Sequence, residues 1–292
     1  MTKLSPKYKK PGNKVAYLMI TPYLTYFLVF MAFPLVFSFV LIFHKWDIVS
    51  SMHWVGLGNL SRMFHDQLFF QSLINTGIFL LLNIPLQIFI ALLLAMLLNE
   101  KIFARSFFRA VYFMPVVISG VVITILWQQL YSEQNGVLNL ILFHLGLPKI
   151  PWLRSPALAM PSIALMATWK NVGLYIILFL AGLQTVPRYL YEVADLDGAS
   201  SFDKFFYVTL PAINPTLILV VILSTLGGFS LFIEPFVMTG GGPMGHTMST
   251  VLYIYKEAFL FGRMGYAASL AFVYTLIIFA VVAVQRKIIE QE

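Results

Sequence analysis

Residues 184–211 read QTVPRYLYEVADLDGASSFDKFFYVTLP, a polar stretch that lies between two long apolar runs. It is too polar to lie within a membrane and too regularly patterned to be a random connector. Glu192 opens a short helical stretch, and Gly198 permits the left-handed backbone conformation that ends it. The Ser200–Asp203 segment has the spacing of a capping box for a second helix, which the Leu-Pro at 210–211 ends. The stretch therefore predicts two short helices joined by a glycine.

The composition is that of a membrane protein. Of the 292 residues, 60% are hydrophobic and 11% are charged, against about 25% charged in soluble domains. The mean hydropathy is +0.85. There is no cysteine, which excludes disulfides, thiolate metal sites and a cysteine nucleophile. The pI of about 9.5 does not indicate nucleic-acid binding, because the basic residues lie at the ends of apolar runs, where membrane topology needs them.

Six apolar runs are long enough to cross a bilayer. The predicted spans cover residues 15–43, 72–98, 107–130, 157–183, 212–238 and 264–284. The first run is too long for a signal-peptide core and lacks a small-residue cleavage site, so we expect it to remain as an anchor in the lipid bilayer. The sequence therefore predicts an all-α integral membrane protein whose residues 1–292 form a single transmembrane domain.

The distribution of lysine and arginine predicts the orientation of these spans. Twelve basic residues lie on one side of the predicted spans, and six lie in the loops on the other side. The segments with twelve are the N-terminal tail, the 99–110 turn, the 184–211 loop and the C-terminal tail. Because cytoplasmic loops are enriched in basic residues, both termini and the polar loop are predicted to be cytoplasmic.

The polar loop resembles the cytoplasmic EAA loop of binding-protein-dependent ABC importer permeases. That register is Glu, one residue, Ala, three residues, Gly, nine residues, an aliphatic residue, one residue and Leu-Pro. The residues here that match it are Glu192, Ala194, Gly198, Val208, Leu210 and Pro211. Val193 departs from the middle alanine. The resemblance implies contact with a separate ATPase subunit, made by Glu192, Ala194, Asp197, Gly198, Leu210 and Pro211.

Other stretches resemble the carbohydrate-type permeases of these importers. They include WVGLGNL at residues 54–60, WKNVG at 169–173 and TGGGP at 239–243. The last resembles an external loop of the permease subtype that pairs with a second, different permease, and its residues are Gly240, Gly241, Gly242 and Pro243. Taken alone, a triple glycine followed by proline is also typical of a flexible turn.

The resemblance implies the six-helix fold of a type I ABC importer permease in the bacterial cytoplasmic (inner) membrane. This multi-pass subunit would form the pore for a sugar, an oligosaccharide or a related polyol. Its implied partners are a second homologous permease in a heterodimer, two ATP-binding subunits and an extracytoplasmic solute-binding protein. The sequence does not indicate which carbohydrate is carried, or whether the two ATPase subunits are identical.

Motifs for chemistry on this chain are missing from the sequence. It contains no Gly-x-x-x-x-Gly-Lys-Ser/Thr, so ATP and its Mg²⁺ are expected on the partner ATPase and no cofactor is expected on this chain. The five histidines lie in loops or at span edges, and neither His-Glu-x-x-His nor Gly-x-Ser-x-Gly occurs. We therefore predict no catalytic or metal site, and a subunit that is not itself an enzyme.

Two charged residues fall inside predicted spans, Lys170 in the fourth and Glu234 in the fifth. A charge at bilayer depth costs about 2.5–3.5 kcal/mol or more unless it faces water or a partner, which favours a cavity around each. If both spans are straight helices with a rise of about 1.5 Å per residue, Lys170 and Glu234 lie at membrane depths that differ by roughly 10 Å. That separation predicts two stations along one water-filled path, and it is too large for a direct ion pair unless Lys170 snorkels upward.

Other polar residues are expected to face the same cavity or a neighbouring helix. Gly227, Ser230 and Glu234 share a face at i, i+3 and i+7, and Asn83 and Gln87 belong to another polar face. For Asn83 and Gln87, hydrogen bonding between helices is an equal alternative to lining the cavity.

Trp169 could stack on a sugar ring or simply pack against other helices. An autonomous secondary transporter or channel is the alternative function, with Lys170 and Glu234 as coupling-ion or gating charges, but it leaves the 184–211 loop unexplained.

Overall fold

The computed structural model describes residues 13–100 and 103–289, which are almost entirely helical. Two units can be separated. The larger comprises residues 65–256 and 273–289, and the smaller comprises residues 13–64 and 257–272. The long last helix α15, Met264–Ile289, contributes its first nine residues to the smaller unit and the rest to the larger one.

The larger unit is built around two long helices, α4 (Gln67–Asn99) and α8 (Pro156–Thr185). The other helices of this unit are α5 (Arg105–Val117), α6 (Gly120–Leu130), α7 (Val137–His144), α9 (Arg188–Leu196), α10 (Ser201–Asp203), α11 (Leu210–Ala212), α12 (Asn214–Phe229), α13 (Ile233–Met238) and α14 (Thr250–Tyr255). Ala91 and Ala95 on α4 are fully buried in the core with Phe179 of α8. Small residues of this kind let two membrane helices approach closely.

Gly173 of α8 lies against the backbone of α5. A Cβ at Gly173 would lie 2.0 Å from the backbone oxygen of Tyr112, so even a methyl group requires the two helices to separate. We expect Gly173→Ala to lower the free energy of unfolding by about 1–3 kcal/mol, as overpacking does elsewhere.

The measurement is thermal unfolding of the purified protein in detergent. The matched control is Gly77→Ala on α4, where no heavy atom lies within 4 Å of the added Cβ. Equal unfolding temperatures for the two variants would contradict the close packing of α5 on α8.

The third predicted span, over residues 107–130, is divided between two helices. Helices α5 and α6 meet at an angle of 98°. Ile118 has ψ 145° and Ser119 has ψ 127°, so the backbone is extended between them. The β-branched residues 116–118 and Gly120 weaken helix propensity at this point, which explains where the chain breaks.

The fifth predicted span also breaks, after Phe229, and resumes as α13 at Ile233. Pro235 explains the position of the break. Proline has no backbone N–H, so in a continuous helix Pro235 would leave the carbonyl of Leu231 without a donor. In the first turn of α13 no such hydrogen bond is required. The free Leu231 carbonyl accepts a hydrogen bond from Ser249 Oγ at 2.6 Å.

The described residues therefore contain five helices long and apolar enough to cross a membrane, or six if the bent pair α5 and α6 counts as one span.

In the smaller unit, α1 (Asn13–Phe27) continues through a wider π-type turn (Leu28–Ala32) into α2 (Phe33–Leu41). A two-residue hairpin follows, with β1 (His44–Lys45) antiparallel to β2 (His53–Trp54), and then α3 (Gly58–Phe64).

The start of α15 is fastened to this hairpin region, because Met264 N donates to Trp46 O at 3.0 Å. Nearby, the buried Glu257 carboxylate accepts from Arg263 at 3.1 Å and lies 3.8 Å from Arg62. These ionic contacts stabilise the residues around Glu257. The apolar side chains along α1 are exposed.

Candidate functional site

A polar cavity of about 250 Å³ lies inside the larger unit, between α4, α8, α12 and α13. We call it the mid-span cavity. Its polar lining residues are Asn83, Gln87, Lys170, Asn171, Tyr175, Ser224, Ser230 and Glu234. Such a lining inside an apolar protein can hydrogen-bond a hydroxylated molecule.

Lys170 and Glu234 form an ion pair across the mid-span cavity, with 2.9 Å between Lys170 Nζ and Glu234 Oε1. The prediction of two separated stations is therefore wrong. Its premise, a constant rise along a straight fifth span, fails because α12 ends at Phe229 and α13 starts anew at Ile233. The side chains of Lys170 and Glu234 are 15% and 10% exposed, so both charges are largely removed from solvent.

Gly120, the first residue of α6, gives Lys170 the space that it occupies. A Cβ at this position would lie 3.0 Å from Lys170 Nζ. The break in the third predicted span thus has a local consequence, since it brings a residue without a side chain against the ammonium group.

Asn83 and Gln87 line the cavity and also bond to neighbouring helices, so both alternatives derived from the sequence describe them. Asn83 Nδ2 donates to Thr168 Oγ1 on α8 at 2.8 Å, and Gln87 Nε2 donates to Ser224 Oγ on α12 at 3.1 Å. Gln87 Oε1 is buried and accepts no hydrogen bond from residues 13–100 and 103–289.

Ser230 and Trp169 are placed differently. Ser230 lies at the end of α12, lines the cavity, and donates to Leu226 O at 3.0 Å. Trp169 is 45% exposed, and its ring packs on Trp127 with centroids 5.4 Å apart. On α8 the cavity is lined by Ala167, Lys170, Asn171 and Tyr175, so the structure supports packing rather than cavity lining for Trp169.

Three cavity residues were missed from the sequence: Asn171, Tyr175 and Ser224. Asn171 and Tyr175 follow Lys170 by one and five positions. Polar groups so close to an intramembrane charge are a signal that could have found them.

The 184–211 loop has the helix–glycine–helix form expected, with two corrections. Helix α9 begins at Arg188, directly after Pro187, and not at Glu192. The second helix does not end at the Leu-Pro, because a π-type turn at Lys204–Thr209 leads into α11, which includes Pro211. In a π-type turn the carbonyls do not make the usual α-helical hydrogen bond to the N–H four residues later. The missing N–H of Pro211 therefore removes little from the hydrogen bonding of this segment.

The turn between these helices follows the prediction. Gly198 has φ +78°, and Ser200 and Asp203 form a reciprocal capping box. The Ser200 hydroxyl, and then its backbone N–H, donate to the Asp203 carboxylate and lower its pKa. This carboxylate therefore stays charged at neutral pH, and its contribution to the cap is lost only as the pH falls through that lowered pKa. An Asp195–Lys204 ion pair ties the first helix to the second.

The loop presents a largely apolar surface, which we call the loop patch. It consists of Tyr189, Val193, Leu196, Phe202, Phe206 and Tyr207, all exposed. Leu196 is 88% exposed, and the side chains of Glu192 and Asp197 are exposed beside it. Ala194 and Leu210 are half-buried, and Pro211 is exposed. A cluster of exposed apolar side chains on one short loop is typical of a protein–protein or membrane interaction site.

The Gly240–Pro243 run forms a hydrogen-bonded turn. Gly240 and Gly241 have φ +62° and +94°, which glycine adopts without strain. The hydroxyls of Thr239 and Thr247 are 2.6 Å apart, and Thr247 donates to Gly242 O. The turn forms one wall of a second cavity, of about 560 Å³, which we call the loop cavity.

Within residues 13–100 and 103–289, no group of three or more His, Cys, Asp or Glu side chains could hold a metal ion.

Residues 69–290 match the family described as "Binding-protein-dependent transport system inner membrane component". The arabinooligosaccharides transport system permease protein AraP of Halalkalibacterium halodurans is 37% identical over 91% of this chain and 85% of its own. The trehalose/maltose transport system permease protein MalF of Thermococcus litoralis is 35% identical over 87% of this chain and 86% of its own.

Among solved structures, a chain of a bacterial ABC transporter involved in the import of the acidic polysaccharide alginate superposes with a TM-score of 0.79. It is 22% identical over 96% of both chains, which shows a shared fold.

Proposed function

This chain belongs to the family of binding-protein-dependent transport system inner membrane components, and we propose that its cargo is a sugar, an oligosaccharide or a related polyol. It is a multi-pass membrane protein with the type I fold, and it is the pore subunit of an ABC importer. The polar mid-span cavity is the main support for this cargo. The names of the relatives agree with it, because they refer to the transport of arabinooligosaccharides, trehalose, maltose and lactose.

The chemistry of the mid-span cavity suits a neutral, hydroxyl-rich molecule. Asn83, Gln87 and Ser224 supply amide and hydroxyl groups. Lys170 donates and Glu234 accepts, and together they carry no net charge. A cargo whose hydroxyls both donate and accept can replace water at each of these groups.

The loop patch is proposed to dock onto an ATPase subunit. Burial of its exposed aromatic and aliphatic side chains would drive association, while Glu192 and Asp197 offer charged contacts at the edge. Closure of the ATPase pair on ATP would then move helices α8 and α12, which flank the loop on either side. The ATP and its Mg²⁺ would be bound by those subunits, and this chain would carry no catalytic residue.

The proposed assembly is a heterodimer with a second homologous permease, joined by two ATP-binding subunits and an extracytoplasmic solute-binding protein. We place it in the bacterial cytoplasmic membrane with both termini cytoplasmic, in keeping with the excess of basic residues on that side. The solved alginate transporter was obtained in complex with a periplasmic protein bound to alginate pentasaccharide.

Vesicle uptake tests the proposed function. The chain is reconstituted with the second permease, the ATPase subunits and the binding protein, and radiolabelled maltose, trehalose, lactose and arabinotriose are offered in turn. We expect uptake of at least one saccharide with ATP, and none above background when ATP or the second permease is omitted.

Uptake without ATP would support an autonomous carrier instead. Full uptake without the second permease would contradict the heterodimer, and the absence of uptake for every saccharide would contradict the proposed cargo.

A further inference from the structure

The loop cavity lies next to the mid-span cavity along the same two helices. On α6, Gly120 contacts Lys170 in the mid-span cavity, and Gln128 lines the loop cavity eight residues later, about 12 Å along the helix. On α13, Glu234 lines the first cavity and Met238 lines the second. Gln128 joins the two helices, because its Nε2 donates to the carbonyls of Val237 and Met238 at 3.2 Å each.

The walls of the loop cavity carry groups that bind neutral hydroxyls. Gln129 and Gln134 line the cavity with exposed side chains, and each side-chain amide offers both donors and an acceptor. The indole of Trp152 is only half-buried and lies in the wall. Glu133 and Arg154 also line the cavity and pair at 3.3 Å, so they add polarity without net charge.

Trp152 is held in place by a buried asparagine that the proposed function does not otherwise use. Asn139 is 0% exposed, and its Oδ1 accepts from Trp152 Nε1 at 3.2 Å and from Ile150 N at 3.0 Å. Its Nδ2 donates to Ile150 O at 3.0 Å. The indole is further backed by the ring of Tyr131, at 5.6 Å between centroids. The platform is therefore rigid before any molecule binds, which reduces the entropy lost on binding.

We propose that the loop cavity is a saccharide-binding subsite, through which the cargo passes before or after the mid-span cavity. One sugar ring packs against the indole of Trp152, and its hydroxyls hydrogen-bond to the amides of Gln129 and Gln134. The Gly240–Pro243 turn forms one wall of the subsite. Because glycine has no side chain, this wall takes up little of the cavity volume. This inference rests on the proposed function, because it takes the cargo to be a carbohydrate.

The first test is Trp152→Ala in the complete importer, with the saccharide of the uptake panel that the unsubstituted importer transports. Loss of an aromatic partner worth about 1.4 kcal/mol corresponds to a roughly tenfold rise in the half-saturating concentration. The maximal rate is expected to change much less, and Trp152→Phe is expected to recover most of the lost affinity. Phe143→Ala is the matched control, because Phe143 is an exposed aromatic residue on α7 outside the cavity lining.

The second test measures occupancy directly. The chain has no cysteine, so Gln134→Cys introduces one thiol into the cavity wall for a membrane-impermeant maleimide. The same saccharide, presented by the binding protein, is expected to slow labelling of this thiol. Labelling of Leu147→Cys, an exposed position outside the cavity lining, is expected to be unaffected.

The proposal requires both results. If the importer takes up saccharide but Trp152→Ala behaves like Phe143→Ala, or Gln134→Cys is not protected, the subsite is wrong and the proposed function stands. If the unsubstituted importer takes up no saccharide in the panel, the proposed function fails and the subsite fails with it.

Discussion

Replacing Lys170 by methionine is expected to reduce uptake by at least about a hundredfold. The substitution leaves the Glu234 carboxylate largely buried and without its cation, and breaking a buried pair in this way costs about 3–5 kcal/mol. The same cost applies to Glu234→Gln, which strands the ammonium. Both variants should also unfold at a lower temperature in detergent, because the uncompensated charge is a property of the folded state.

The double variant Lys170→Met with Glu234→Gln separates stability from transport. Removing both charges leaves no isolated ion, so its unfolding temperature should return close to that of the unsubstituted protein. Uptake should remain impaired, because the cavity has lost the ammonium donor of Lys170 and the charged acceptor of Glu234, and a neutral glutamine amide bonds a hydroxyl less strongly than a carboxylate does. Full recovery of uptake in the double variant would show that the pair only holds α8 and α13 together.

Replacing Gly198 by valine is expected to abolish ATP-dependent uptake while the chain still inserts in the membrane. Gly198 has φ +78°, and a β-branched residue there costs about 1–3 kcal/mol of backbone strain. No heavy atom lies within 4 Å of a Cβ at this position, so the effect comes from the backbone alone. The strained turn is expected to re-aim α10 relative to α9, and the loop patch would then lose the shape that the proposed contact with the ATPase requires. The measurement is the amount of ATPase that co-purifies with the membrane subunits.

Asparagine provides the control for Gly198. It is larger than alanine, yet it adopts the left-handed conformation more readily than other side chains do. Gly198→Asn should therefore retain the ATPase and much of the uptake, whereas Gly198→Ala should fall between asparagine and valine. If valine and asparagine behave alike, the conformation of this glycine does not control coupling.

Local features of the 184–211 loop could be predicted because neighbouring residues alone determine them. A glycine in a left-handed turn and a Ser-x-x-Asp cap depend on three or four consecutive positions, and Gly198 and Ser200–Asp203 are found as expected. The start of α9 at Arg188 was missed, although Pro187 gives a local signal for it.

The Lys170–Glu234 pair could not be obtained in the same way, because it depends on where α12 ends. Pro235 indicates an interruption, but the choice between a kinked and a broken helix rests on Ser249, which bonds the freed Leu231 carbonyl from a distant part of the chain. Likewise, residues 116–120 weaken the helix without specifying the 98° angle between α5 and α6. Local residues explain where both breaks lie, but they do not specify the geometry of either break, and the Lys170–Glu234 pair depends on that geometry.

The pairing of Lys170 with Glu234 also has an electrical consequence. A transmembrane potential does work of about 2.3 kcal/mol on each elementary charge that crosses 100 mV. An ammonium and a carboxylate 2.9 Å apart move as a dipole with no net charge, so shifting the mid-span cavity between the two faces of the membrane displaces almost no charge. With a neutral cargo, the potential neither drives nor opposes this step. A cell whose membrane has been depolarised would keep importing the sugar for as long as its ATP lasts.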